Sequence, residues 1–162
     1  MTYVGSTRFS IPTDPRCLKA ARNRVVGAVR AWTGLDAAAL DGLRSVASEL
    51  LANGVEHAPG APLTVRLRQR DHQVLLEVFD GSSKPPQPRC VPEGAERGRG
   101  LVVVAALAED WGWEPIDVGK RVWVTMKLPE PAGNSAASSV EDALRLCDTG
   151  TRLSLNLVPG VA

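Results

Sequence analysis

The stretch SELLANGVEHA, residues 48–58, places Glu49, Asn53 and His57 four residues apart. Positions four apart on a helix sit one above the other, so a carboxylate, a carboxamide and an imidazole share one polar column. Val46, Leu50, Leu51 and Val55 form an apolar column beside it. The polar column is either a solvated face or one wall of a site. Two later stretches hold residue types suited to a ligand. VFDGSS ends an apolar strand on Asp80 and turns at Gly81, where no Cβ stands in the way. GRGL, residues 98–101, puts Gly98, Gly100 and Leu101 just ahead of an apolar run. Small residues there let backbone N–H groups approach phosphate oxygens, and a helix starting at that point adds its dipole.

Each feature also has a plainer reading. Asp followed by Gly is an ordinary turn pair at a strand end. His57 either lines the site or bonds a nearby carbonyl at the helix end. Arg97 and Arg99 bracket Gly98 and act either as charge-assisted phosphate ligands or as surface charges. Two other nucleotide signatures are missing: no G-x-x-x-x-G-K-[ST] exists, and GRG lacks the spacing and preceding strand of a dinucleotide fingerprint.

These residues need a scaffold. At 162 residues, with 44% hydrophobic and 23% charged, the chain fits one soluble globular domain of ordinary size. A formal charge of +1 argues against a surface dominated by basic residues, so no direct nucleic-acid contact is expected. Cys17, Cys90 and Cys147 are odd in number and far apart, with no Cys/His cluster, which suggests neither a zinc site nor a disulfide framework. A reducing cytoplasm is the natural setting. MTYVGSTRFS lacks the apolar run of a signal peptide and no stretch reaches transmembrane length, so the chain is expected to be cytoplasmic, without membrane contact.

The element pattern starts with a short strand at RFSIP. Asp14 caps and Pro15 opens a helix over about 15–32, with Leu18, Ala21, Val25, Ala28, Val29 and Trp32 at helical spacing. Gly34 breaks it. Asp36 caps a second helix that carries Leu40, Leu43, Val46, Leu50 and Leu51 inward and ends near APGAP. LTVRLRQR and QVLLEVFD alternate with period two and are close enough for a hairpin. The stretch from Gly81 to Gly100 holds four prolines and is read as a functional loop. LVVVAALA is a buried helix or a strand, which periodicity alone does not separate. KRVWVTMKL is a final strand. After residue 129 small and polar residues mark a linker at about 129–139 and a tail with a short helix at about 139–148.

In this order the sequence resembles the GHKL superfamily of ATP-binding domains, and within it the anti-sigma-factor serine/threonine kinases of actinobacterial type. SELLANGVEHA is similar to the N-box of that family, VFDGSS to its first glycine box, and GRGLVVVAALAEDWGW to its second, over residues 8–128. The resemblance implies a Bergerat-type α/β (α+β) fold over residues 1–128: a two-layer sandwich, with a mixed, mostly antiparallel sheet and helices on one face. It implies ATP and Mg²⁺ as cofactors. Asn53 would supply the metal with an amide oxygen, and Glu49 would serve as catalytic base. Asp80 would accept from the adenine amine, and Gly81, Arg97, Gly98, Arg99, Gly100 and Leu101 would complete the nucleotide site. The loop 83–97 would act as a proline-stiffened lid.

Two departures stand out. Gly119-Lys120-Arg121 replaces the family's Gly-Thr pair ahead of the last strand, and Ser83 stands for the second glycine of the first box. The implied partners are a sigma factor and/or an anti-anti-sigma antagonist protein, and a homodimer is open to the chain. The implied activity is a protein serine/threonine kinase that phosphorylates the antagonist while sequestering the regulator. The alternative is a non-catalytic, ATP-dependent binding module. A two-component histidine kinase fragment fits poorly, because the first helix contains no histidine.

Overall fold

Alternation builds the sheet. In β2 (Leu63–Arg70) the residues Leu63, Val65 and Leu67 are buried, and in β3 (Gln73–Asp80) Val74, Leu76 and Val78 are buried with them. The polar residues between them point to the other side, as period-two side chains must. The two strands pair antiparallel across a tight turn in which Asp71 takes a left-handed φ of 50°, a conformation Asp tolerates. This computed structural model describes residues 3–86 and 100–130. Arg97, Gly98, Arg99, most of the expected lid, and the linker and tail from residue 131 lie outside the described residues.

β1 (Gly5–Ile11) adds to β2, while β5 (Lys120–Lys127) adds to β3 and carries β4 (Asp110–Pro115) on its far side. The order is β1-β2-β3-β5-β4, and every pairing is antiparallel. The expected mixed sheet is therefore antiparallel throughout among the described residues. The reason is topological. After β3 the chain passes through α3 (Gly100–Leu107) and returns as β4, and β5 then folds back into the gap between β3 and β4. β3 and β4, joined through α3, are thus kept apart by β5, while β1 and β2, joined through two helices, pair antiparallel.

The helices cover the apolar side of the sheet. Asp14 accepts the Arg16 N–H at 2.9 Å and Pro15 begins a 3₁₀ turn, Pro15–Cys17, that leads into α1 (Leu18–Thr33). The helix expected from Pro15 thus starts one tight turn later. Gly34 ends it at φ 70°, its N–H on the Arg30 carbonyl at 2.8 Å. Asp36 accepts the Ala39 N–H at 2.8 Å, and a second 3₁₀ turn, Ala38–Leu40, precedes α2 (Asp41–His57). The residues expected to face inward (Leu40, Leu43, Val46, Leu50, Leu51) are all buried. LVVVAALA is helical, with Leu101 and Val104 buried three apart. α2 packs against both α1 and α3, so the polar column of α2 is carried by the central helix of the layer.

Candidate functional site

Gly54 sets how closely α2 approaches the sheet. A Cβ on it would lie 2.8 Å from Leu63 Cδ1, inside the core. That approach fixes the helix that carries Glu49 and Asn53. Both side chains are half-buried. The Glu49 carboxylate lies against Gly100, the first residue of α3, so closely that a Cβ at Gly100 would collide with Glu49 Oε2. Gly100 is therefore needed for a carboxylate at the helix start, whatever else approaches its backbone. Burial pushes the Glu49 carboxyl above the usual carboxylate range. The side chain of Asn53, one turn on, makes no hydrogen bond to a described residue, which leaves its amide oxygen uncommitted.

At the end of α2 the Ala58 N–H bonds the Gly54 carbonyl at 3.1 Å, and His57 is exposed. His57 borders a cleft of about 260 Å³ between residues 57–61 and the turn at 81–84. Its ring makes no hydrogen bond to a carbonyl of a described residue.

Asp80 and Lys120 are cross-strand partners at the ends of β3 and β5, on the helix-facing side of the sheet. Lys120 Nζ lies 3.0 Å from Asp80 Oδ1, with side chains 4% and 2% exposed. The same oxygen accepts the Ser82 N–H at 2.8 Å, so Asp80 caps its own turn as well. Gly119, at φ 96°, presses its Cα onto the Asp80 carbonyl and Gly81; a side chain there would overlap backbone. Lys120 is the site feature that the sequence reading missed. The signal was the β3–β5 register, which sets Lys120 directly opposite Asp80. Leu101 is 6% exposed and belongs to the core, so only its backbone can face a ligand.

A family model described as histidine kinase-like ATPase domain matches residues 11–127. The chain belongs to that family. The crystal structure of the RsbU and RsbW domains of Rv1364c from Mycobacterium tuberculosis is similar in fold, with a TM-score of 0.60 at 17% identity. The match covers 82% of this chain and 34% of that one, so the chain spans about a third of that structure's length. No curated protein matches it.

A histidine kinase-like ATPase domain is an ATP-binding domain, and the residues present fit that ligand. Among the described residues no group of three or more His, Cys, Asp or Glu side chains gathers to hold a metal. Mg²⁺ is commonly held by one or two protein oxygens, with substrate phosphates and water completing its shell. The free amide oxygen of Asn53 on a rigid helix suits that role. No helix among the described residues is long and apolar enough to cross a membrane.

Proposed function

We propose that this domain binds Mg-ATP and transfers the γ-phosphoryl group to a serine or threonine hydroxyl of an antagonist protein, while holding a sigma factor or a similar regulator. The observation that carries this reading is Glu49: a half-buried carboxylate without a cationic partner among the described residues, held at the start of α3 one turn from Asn53. Similarity in fold to a chain containing an RsbW domain supports the regulatory part of the reading. We place the ATP-binding domain at residues 1–128, with 129–162 as linker and tail, in a cytoplasmic protein.

In this reading Asp80 accepts from the base amine through Oδ2, the oxygen that Lys120 and Ser82 leave open. Asn53 would hold the metal, which would supply neutralisation of the phosphate charge. By the family resemblance Gly98 and Gly100, with Arg97 and Arg99, would serve the phosphates; of these four only Gly100 is among the described residues. Glu49 takes the proton of the attacking hydroxyl as its oxygen bonds to the γ-phosphorus. The bond from that phosphorus to the β,γ-bridging oxygen breaks, and ADP leaves. A raised carboxyl pKa suits a base that must take up this proton near neutral pH.

Two measurements test the reading. Mg-ATP at 100 times its dissociation constant stabilises the fold by about 2.7 kcal/mol in thermal unfolding; no shift overturns nucleotide binding. Labelled ATP with the genuine antagonist gives labelled antagonist; binding without transfer leaves the non-catalytic module as the function.

A further inference from the structure

The Asp80–Lys120 pair has a consequence for which base the site accepts. An acidic side chain alone selects adenine, whose 6-amino group donates to it, and repels guanine, which presents the O6 acceptor at the same place. Here the carboxylate is paired. Lys120 Nζ stands 3.0 Å from Asp80 Oδ1, and both side chains are almost wholly withdrawn from water. Oδ1 is filled by Lys120 and the Ser82 N–H, while Oδ2 has no partner among the described residues. Lysine carries three donors and no acceptor. One goes to Oδ1, one reaches the Ser82 carbonyl at 3.4 Å, and one is uncommitted among the described residues.

We propose that Lys120 sets the base specificity of the nucleotide site, and that the Asp80–Lys120 pair admits guanine nucleotides as well as adenine nucleotides. This rests on the reading of Asp80 as the base-recognising residue. The pair offers an acceptor (Oδ2) beside a donor (Nζ). Adenine needs only the carboxylate, with its 6-amino group on Oδ2. Guanine matches it with N1–H on the carboxylate and O6 on the ammonium. Supplying a donor for O6 removes the unpaired acceptor that otherwise rejects the wrong base. The pair is held in place from both sides. Cross-strand register sets the two residues opposite each other, and the Gly119 backbone seats against Asp80 and Gly81. A cleft of about 260 Å³, lined in part by Gly81 and Ser82, opens beside the turn that follows Asp80.

The test is competition of ATP and GTP, each with Mg²⁺, against a fluorescent ADP analogue on the full chain. The wild-type protein is expected to prefer ATP by less than about 30-fold, a gap smaller than one fully unmatched polar contact produces. Lys120→Met is expected to weaken GTP at least about tenfold more than ATP, the discrimination of one charged hydrogen bond. Lys120→Arg keeps the cation and is expected to keep GTP binding; it decides the matter if the methionine variant does not fold in a thermal scan. A wild-type preference for ATP beyond about 30-fold overturns the proposal. So does an equal loss of both nucleotides in Lys120→Met, or a loss confined to GTP in Lys120→Arg. Each of these leaves the ATP site standing. If neither nucleotide competes with wild type, the reading of the site itself fails.

Discussion

Glu77 and Glu49 are both carboxylates withdrawn from water, on opposite sides of the same sheet, and their surroundings drive them in opposite directions. Glu77 is on β3, on the side away from the helices, with no exposed surface. Arg66 binds it through two nitrogens, Arg68 Nη2 lies 3.2 Å away, and Arg121 Nε lies 2.8 Å away. Burial pushes the Glu77 carboxyl up, but the Arg66 hydrogen bonds and the charges of Arg66, Arg121 and Arg68 outweigh it and hold the group below the usual range. Glu49 has burial without a cation, and its carboxyl is raised. A carboxylate caged by arginines is spent on structure. One left unpaired is strained toward taking a proton, and such groups gather at functional sites.

The contrast can be broken by exchange of charge for amide. Glu49→Gln is expected to lower phosphoryl transfer by about 10²–10⁴-fold, the usual worth of a positioned base, while Mg-ATP affinity persists; single-turnover transfer and a binding titration read the two separately. Glu77→Gln is expected to leave nucleotide affinity intact and to cost about 3 kcal/mol of stability, because it removes the buried anion that three guanidinium groups share. A urea melt measures that loss, and a cost under half of it denies Glu77 its structural part.

Gly100→Ala sharpens the contrast on the Glu49 side. Its methyl group meets the carboxylate, and the strain is expected at about 1–3 kcal/mol. Combining it with Glu49→Ala should recover part of the loss, and plain additivity in that cycle would deny the contact.

The smallest effects are in pH. Glu77, depressed when folded, contributes stability above the ordinary value of 4.5 that is lost as pH falls through its folded value. Glu49, raised when folded, contributes stability below 4.5 that is lost as pH rises through its folded value. Glu49→Gln should therefore gain in melting temperature over wild type as pH climbs from 4.5, while the deficit of Glu77→Gln should shrink as pH drops below it. Parallel curves for the two variants would show that the surroundings do not differ.

Much of the helical layer was legible because its signals are local. Asp14, Gly34 and Asp36 mark ends, and the burial of Val25, Val29, Leu43 and Leu50 follows from spacing within one helix. Glu49, Asn53, Asp80 and Gly81 were legible as residue types on the right elements. What depended on distant pairing was not. Glu77 looks like one more solvent-facing position in β3; its burial comes from arginines on β2 and β5. Lys120 looks like a surface charge until β5 lies along β3. The edge strand β4 was passed over although Trp111 and Trp113 alternate with Asp110, Gly112 and Glu114. Its run is short and interrupted by a glycine, and that glycine has its reason across the sheet: a Cβ on Gly112 would lie 2.8 Å from the Trp123 ring.

β3 carries Glu77 on one face and Asp80 on the other, three residues on. A strand that slides by a single residue turns every side chain over. Such a slip would drive a lone anion into the aliphatic core and swing Asp80 out of its seat. The guanidinium cage thus acts as a ratchet pawl for the central strand, so that the seat of Asp80 is guarded from the side of the sheet that the helices leave uncovered.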